Sequence, residues 1–175
     1  MVPAAPLARP GGGRAWWQLD EPRPAHAWTA ELPPDHQPHP QLAAARAAVQ
    51  ALLRDVRQRY APDVLAVAGF SQGAMLALDV ALAGDPPVDR VAVLSGALLR
   101  DSLPALLSER GAPLPRALVA HGSADRVVPF RSGESIKTLL EPRRHRVTWV
   151  PFEGGHEIPP PVVQALRTFL FDAPP

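Results

Sequence analysis

One serine in the sequence stands between two glycines, where an apolar run changes to an alanine-rich segment. In AVAGFSQGAMLAL, residues 66–78, Gly69 and Gly73 flank Ser71. Two glycines leave room for a sharp strand-to-helix turn that side chains would block, and such a turn projects a nucleophilic hydroxyl above a sheet. The backbone N–H of Gln72 could then donate to an oxyanion. The alternative is that Ser71 only caps the helix, which serine does well.

The two other residue types that activate a serine lie on later loops. Asp125 stands in HGSADRVVP and His156 in PFEGGHEIPP, each after an apolar run. A histidine can take the proton of a serine hydroxyl, and a carboxylate can orient the imidazole and stabilise its cation. Taken singly, an aspartate or a histidine in a loop is more often structural. The order Ser, Asp, His, each after its own strand, is that of α/β-hydrolases and predicts a catalytic triad of Ser71, Asp125 and His156.

This triad predicts acyl transfer. A neutral serine hydroxyl is a weak nucleophile, so His156 must accept the proton of Ser71 as its oxygen attacks an acyl carbon. Returning the proton releases the leaving group, and water then repeats the sequence. The expected reaction is hydrolysis of a carboxylic ester or thioester through a covalent acyl-enzyme, with no cofactor and no metal.

The elements that would position these residues alternate along the chain. Apolar positions at helical spacing predict a helix from Gln41 to near Tyr60. Four apolar runs predict strands, namely DVLAVAGF, DRVAVLSG, RALVAHG and HRVTWVPF. Helices are predicted in QGAMLALDVALAG, closing at Gly84, in LPALLSER as a short one, in RSGESIKTLL and in PPVVQALRTFLF. Near-continuous apolar strands between helices predict a mostly parallel sheet covered on both faces, an α/β sandwich whose ligands bind at the carboxyl ends of the strands.

Other histidines and aspartates compete for these roles. His36 and His39, in HQPH, have a spacing that can bind a metal, but no third ligand accompanies them, so solvent exposure is the better interpretation. His121 ends its strand beside a glycine, and we expect it to make a structural hydrogen bond at the rim of the site. Asp101 would replace the predicted acid only if that carboxylate pointed away. Asp89 opens its strand at the wrong end of the sheet.

Length and composition narrow the function further. The chain has 175 residues and 46% hydrophobic types, which predicts one domain over residues 1–175, with residues 1–40 as a long Pro/Gly-rich loop region. Eighteen basic against 17 acidic residues leave no field that would gather nucleic acid or an anionic membrane, so a small-molecule substrate is expected. There is no cysteine, no apolar stretch long enough to span a membrane and no signal-peptide pattern. A cytoplasmic monomer or homodimer is the expectation.

The motifs resemble those of the phospholipase/carboxylesterase family of α/β-hydrolases, which includes the acyl-protein thioesterases. The similar pieces are GFSQGA, VAVLSGAL, HGSADRVVP and EGGHEIP, with APLARPGGGRAWWQLD near the N-terminus, so the resemblance covers nearly the whole chain. It implies the same triad and a substrate range of short to medium acyl esters, thioesters or lysophospholipids. It also implies substrate contacts by Trp16, Trp17 and Phe70, although the two tryptophans could equally anchor the long loop in the core.

The N-terminus departs from that resemblance. The family begins with a strand that ends in a His-Gly-x-Gly type loop, the source of a second oxyanion donor, and this chain starts after both. The glycines at 11–13 follow no apolar strand and do not replace that loop. Because the missing strand is central, its loss would leave the nucleophile strand with an unpaired edge. Either the natural protein is longer or the short form is impaired, and the complete triad favours N-terminal truncation. The alternative function is an acyl-binding or interaction protein with an incomplete oxyanion hole.

Overall fold

A four-stranded parallel sheet forms the centre of the protein, in a computed structural model that describes residues 1–9, 12–18, 40–107, 115–141 and 146–172. The strands are β1 (Leu7–Ala8), β2 (Arg14–Ala15), β3 (Ala66–Phe70), β4 (Arg90–Leu94), β5 (Arg116–Gly122) and β6 (Val147–Phe152). The helices are α1 (Pro40–Tyr60), α2 (Gln72–Ala83), α3 (Leu103–Leu107), α4 (Phe130–Leu140) and α5 (Pro160–Phe171), and a single 3-10 turn at Arg100–Ser102 leads into α3. The order in the sheet is β3-β4-β5-β6, so every neighbouring pair requires a crossover, and helices supply the crossovers.

Side chains of the central strands alternate between two buried clusters. On β4, Val91 and Val93 face the cluster that also contains α1, α2 and α4, whereas Ala92 and Leu94 face the cluster that contains Phe169 of α5. Successive strand residues point to opposite faces, so burial on both sides explains the near-continuous apolar runs. Helices therefore cover both faces, and the predicted α/β-hydrolase-like sandwich is confirmed. Within the described ranges no helix is both long and apolar enough to cross a membrane.

Helix α2 lies between α1 and the sheet and is buried along most of its length. It ends as predicted at Gly84, whose φ of 66° is the left-handed conformation that glycine adopts readily. Its one acidic residue, Asp79, is 1% exposed and accepts hydrogen bonds from Arg46 at 2.6 and 2.8 Å and from the Ser102 hydroxyl at 2.7 Å. A buried carboxylate would be costly alone, and these partners compensate it.

The parallel register gathers the carboxyl ends of the strands at one edge of the sheet. Phe70 pairs with Leu94, Leu94 with Ala120, and Ala120 with Val150. The pairing continues past the end of β3, because the backbone N–H of Ser71 donates to Leu94 O at 2.9 Å. The loops that carry the predicted serine, aspartate and histidine all leave the sheet at this edge.

The described part of the region predicted as a long loop, residues 1–40, contains a small antiparallel ribbon of β1 and β2. Arg9 N donates to Gly13 O at 3.2 Å, and Gly12 N donates to Arg9 O at 3.1 Å. Gly12 and Gly13 thus belong to the closed end of this ribbon, whereas Gly11 lies outside the described residues. The expectation that the glycines at 11–13 do not replace an oxyanion loop stays a prediction. Residues 19–39 lie outside the described structure.

Strand β3 has a parallel partner only on its β4 side among the described residues. A cavity of about 210 Å³ runs along it, lined among others by Val67, Ala68 and Gly69 of β3 and by Trp16. The unpaired edge expected beside the strand that leads to Ser71 is therefore present in the described part of the chain, and N-terminal truncation stays a prediction.

Candidate active site

Ser71 occupies a strained turn between β3 and α2. Its φ of 54° and ψ of −122° are unusual for a residue other than glycine, and such strain is most often found at functional positions. Its side chain makes no capping hydrogen bond to α2. The carbonyl oxygen of Ser71 instead accepts the N–H groups of Ala74 and Met75, at 3.0 and 3.2 Å. The helix therefore begins without the hydroxyl, and the helix-cap alternative for Ser71 is wrong.

Close packing requires only one of the two glycines around Ser71. A Cβ added at Gly69 would lie 2.1 Å from Gly73 O and 2.5 Å from Ala74 N, and these backbone atoms cannot move aside. A Cβ added at Gly73 would meet nothing closer than the indole nitrogen of Trp16 at 3.6 Å, an ordinary contact. The interpretation that both glycines make room for the turn is correct for Gly69 and wrong for Gly73.

We expect Gly69→Ala to lower the free energy of unfolding by about 3 kcal/mol or more, because the new methyl group overlaps the first turn of α2. Gly73→Ala is the matched control and should change stability by less than about 1 kcal/mol, since alanine favours helices. Urea unfolding of both variants measures the difference. Equal stability of the two variants would contradict the close approach of β3 and α2.

The structure brings Ser71, His156 and Asp125 together in one chain of hydrogen bonds. His156 Nε2 lies 2.8 Å from Ser71 Oγ, and His156 Nδ1 lies 2.8 Å from Asp125 Oδ2. A carboxylate can only accept, so Nδ1 carries a proton, and in the neutral imidazole Nε2 is then free to accept the proton of Ser71. The ring of Phe70 packs against the imidazole, with centroids 4.7 Å apart.

The environment of Asp125 keeps its carboxylate ionised. The residue is 8% exposed, and its Oδ1 accepts the backbone N–H groups of Val127 at 2.8 Å and Val128 at 2.9 Å. Burial by itself raises the pKa of Asp125, but the hydrogen bonds from His156, Val128 and Val127 outweigh burial and hold the pKa below its ordinary value. One carboxylate oxygen is thus fixed by the backbone and the other is left for His156.

The loops that carry the acid and the histidine are fastened to each other. Ala124 N donates to Gly154 O at 2.9 Å. At Gly122 the two loops approach so closely that a Cβ would lie 2.3 Å from Gly155 O. The distance between Asp125 and His156 is therefore set by backbone contacts and does not depend on the two side chains alone.

The competing aspartates have other positions. Asp89 accepts the backbone N–H of Leu65 at 2.8 Å, at the amino end of the sheet as expected. Asp101 is the alternative acid only if Asp125 points away, and Asp125 instead contacts His156.

Of the three other histidines discussed from the sequence, only His121 lies among the described residues. His121 makes the expected structural hydrogen bond, with Nε2 2.9 Å from Val128 O, but it is fully buried rather than at a rim. His36 and His39 lie outside the described residues, so their solvent exposure stays a prediction. In the part of the chain that is described, no group of three or more His, Cys, Asp or Glu side chains could hold a metal ion.

A contact that the sequence did not indicate ties the N-terminal segment to the turn between β3 and α2. Gln72 Oε1 accepts the backbone N–H of Trp16 at 2.8 Å, and Gln72 Nε2 donates to Trp17 O at 2.9 Å. Gln72 is also the first residue of α2, so its backbone N–H has no partner within the helix. Gln72, whose backbone N–H is expected to stabilise an oxyanion, thus binds the backbone of Trp16 and Trp17 through its side chain.

The three residues expected to contact substrate have different surroundings. Trp17 is 5% exposed and belongs to the core cluster, as the core-anchor alternative requires. Trp16 is partly buried and lines the cavity along β3 as well as a second one of about 340 Å³ beside α1. Neither cavity is lined by Ser71 or His156. Substrate contacts by Trp16 and Phe70 stay predictions.

Comparison with known families supports the resemblance drawn from the motifs. The sequence profile of a family described as phospholipase/carboxylesterase matches residues 3–172. The chain belongs to the phospholipase/carboxylesterase family. The match includes all three loops at the carboxyl edge of the sheet and the N-terminal segment held by Gln72. The chain is accordingly an α/β-hydrolase of the phospholipase/carboxylesterase type.

Solved structures share this fold. Esterase PE8 is 27% identical with a TM-score of 0.75, over 96% of this chain and 75% of its own. SOBER1 from Arabidopsis thaliana is 20% identical with a TM-score of 0.66, over 97% of this chain and 79% of its own. Acyl-protein thioesterase 2 from Zea mays is 22% identical with a TM-score of 0.62, over 91% of this chain and 73% of its own, and like SOBER1 it supports the fold alone. No curated protein sequence matches the chain significantly.

Proposed function

We propose that this member of the phospholipase/carboxylesterase family is a serine hydrolase that cleaves carboxylic esters or thioesters. The observation that carries the proposal is the unbroken chain of hydrogen bonds from Ser71 through His156 to Asp125, with both distances 2.8 Å and Ser71 at positive φ. An activated serine needs this arrangement: a base within reach of the hydroxyl and a carboxylate that orients the base.

The proposed reaction begins when His156 Nε2 takes the proton of Ser71 Oγ as this oxygen attacks the acyl carbon. Asp125 stays ionised, holds the Nδ1 proton in place and stabilises the imidazolium. The imidazolium then protonates the leaving alcohol or thiol, and the acyl group remains on Oγ. Water attacks this ester with His156 again as the base, which releases the carboxylic acid and restores Ser71.

The backbone N–H of Gln72 is the proposed donor to the oxyanion of both tetrahedral intermediates. It points from the N-terminus of α2, where the helix dipole also favours negative charge. Such a donor is worth about 10²–10³-fold in turnover. Its peptide lies between strained Ser71 and the side-chain bonds of Gln72 to residues 16 and 17, which favours a fixed orientation.

Family membership favours short to medium acyl chains, with lysophospholipids as further candidates. Phe70 and Trp16 are the proposed substrate contacts, because Phe70 touches the catalytic imidazole and Trp16 lies 3.6 Å from the position of a Cβ on Gly73. A cytoplasmic location and a monomeric or homodimeric state also remain proposals.

A catalytically impaired acyl-binding or interaction protein is the second candidate. The observation that favours it is that the backbone N–H of Trp16, in the N-terminal segment that contacts Gln72, already donates to the Gln72 side chain. Within the described residues, Gln72 is thus the one donor that we assign to an oxyanion. This candidate predicts that acyl compounds bind without forming an acyl-enzyme.

Fluorophosphonate labelling and a pre-steady-state burst test the proposal. The full chain is expected to carry one adduct on Ser71 by peptide mass spectrometry and to release a burst of p-nitrophenol from p-nitrophenyl acyl esters. A panel of increasing acyl length, with matched thioesters, then defines the substrate class. Binding of an acyl compound with neither adduct nor burst would favour the second candidate.

Ser95→Ala is the matched control for this experiment. Ser95 also follows a strand at positive φ, 48°, but its hydroxyl is buried and makes no hydrogen bond among the described residues. Labelling and burst should be unchanged in this variant. Loss of the adduct in Ser95→Ala, or an adduct mapped to Ser95, would contradict Ser71 as the nucleophile.

A further inference from the structure

His121 lies directly behind the acid of the triad. It stands near the end of β5, is 0% exposed, and its Nε2 is 2.9 Å from Val128 O. The same Nε2 is 3.5 Å from Asp125 Oδ2, the oxygen that also accepts from His156. Two imidazoles thus converge on one carboxylate oxygen, and the proposed reaction uses only that of His156.

The partners of His121 determine which of its ring nitrogens carries the proton. A carbonyl oxygen can only accept, so the bond to Val128 O requires that Nε2 carries hydrogen. Nδ1 is buried and has no hydrogen-bond partner among the described residues, so a proton there would be an unsatisfied donor. Burial lowers the pKa of His121, although Val128 O and Asp125 act in the opposite direction. His121 is therefore the neutral imidazole with its N–H directed toward Val128 and Asp125.

Packing fixes the ring in this orientation. A Cβ on Gly133 of α4 would lie 2.7 Å from His121 Nδ1 and 3.0 Å from Cγ, so only glycine lets α4 approach the ring this closely. Phe130, also on α4, meets the ring edge to face with centroids 6.1 Å apart. The fully buried imidazole is therefore held on the α4 side by the backbone at Gly133 and by the ring of Phe130.

We propose that His121 is a positioning residue for Asp125. Its Nε2–H holds Val128 O and so fixes the turn whose N–H groups at residues 127 and 128 bind Asp125 Oδ1, and its dipole faces Oδ2. The second oxygen is thereby aimed at His156, which strengthens the stabilisation of the imidazolium during acyl transfer. This inference rests on the proposed function, because it acts through the acid of the proposed triad.

His121→Gln and His121→Met form a matched pair of variants. Both side chains are unbranched and similar in size, but only the glutamine amide can donate toward Val128 O. We expect kcat per titrated active site to fall about 10–100-fold in His121→Met with KM nearly unchanged, and to recover to within about threefold of wild type in His121→Gln. In the plot of kcat against pH, the midpoint of the acid limb should lie at lower pH in His121→Met than in wild type. The reason is that the variant stabilises the imidazolium of His156 less well.

Gly133→Ala is expected to displace the His121 imidazole while leaving that residue a histidine. It serves as the second test if His121→Met does not fold. It should reduce kcat and shift the acid limb in the same direction, whereas Glu134→Ala, an exposed neighbour on α4, should do neither. A merely structural His121 would lower the titrated active fraction or the melting temperature and leave kcat per site and the acid limb unchanged, which would overturn the inference. Wild-type protein that gives no fluorophosphonate adduct would instead overturn the proposed function. Normal wild-type labelling with wild-type kcat in His121→Met or Gly133→Ala would overturn only the role of His121.

Discussion

Replacing Ser71 with alanine should lower kcat for a p-nitrophenyl ester by about 10⁵–10⁶-fold. Without Oγ there is no atom to form the acyl-enzyme. The hydroxyl proton that His156 Nε2, 2.8 Å from Oγ, would accept in the proposed mechanism is absent as well. Residual turnover would come only from a bound water that reacts near the Gln72 N–H. The fold should be unaffected, because the hydroxyl does not cap α2 and the carbonyl of residue 71 still receives the first helical bonds.

Stopped-flow kinetics at equal concentrations of folded protein measure this loss against wild type and Ser95→Ala. His156→Ala should be impaired to a similar degree, and the Ser71→Ala/His156→Ala double variant should be no worse than either single variant, because the proposed mechanism makes the two residues act as one unit. An additive double variant, or a burst that survives in Ser71→Ala, would show that Ser71 and His156 do not share a reaction step.

Most of the fold could be predicted because the decisive signals are local. The strand predicted in RALVAHG is β5 residue for residue, and the helix predicted to close at Gly84 ends there. Strands buried on both faces leave continuous apolar runs, and a glycine that takes positive φ marks a helix end. The order of strands then brings the ends of β3, β5 and β6 to one edge, so three loop residues far apart in sequence could be predicted to meet.

The details of the site depend on contacts that no spacing encodes. Gln72 bonds to a backbone 55 and 56 residues away, and nothing in GFSQGA distinguishes this side chain from a solvent-exposed one. Gly69 and Gly73 look equivalent in sequence, yet only Gly69 faces a neighbouring backbone closely. Its place at a strand end predicts that His121 lies at the rim of the site, but α4 packs over it through Gly133. Each difference arises from how separate elements pack, which local pattern does not determine.

Replacing Asp125 with asparagine should lower kcat by about 10⁴-fold while the geometry stays nearly intact. The N–H groups of Val127 and Val128 require an oxygen at the Oδ1 position, so the amide oxygen must take it. The amide NH₂ group then faces His156 Nδ1, which has to accept. The neutral imidazole consequently carries its proton on Nε2 and cannot take the proton of Ser71.

Asp101→Asn is the control, because Asp101 is the other candidate that the sequence offers for the acid. It should retain wild-type kcat, and a loss of about 10⁴-fold there with little loss in Asp125→Asn would reverse the assignment. Steady-state kinetics on purified variants, normalised to folded protein by circular dichroism, provide the comparison.

The carboxyl group of Asp125 also makes the stability of the fold depend on pH, and the sign of this dependence can be tested with Asp125→Asn. Because the folded-state pKa of Asp125 lies below its ordinary value of 3.8, ionised Asp125 stabilises the fold at pH values above 3.8, and this contribution is lost as the pH falls through the lower, folded-state pKa. The difference in melting temperature between wild type and Asp125→Asn should therefore be full at neutral pH and shrink below about pH 4. A difference that grows on acidification would mean that burial outweighs the bonds from His156, Val127 and Val128, and that Asp125 is not held as the carboxylate that the proposed mechanism requires.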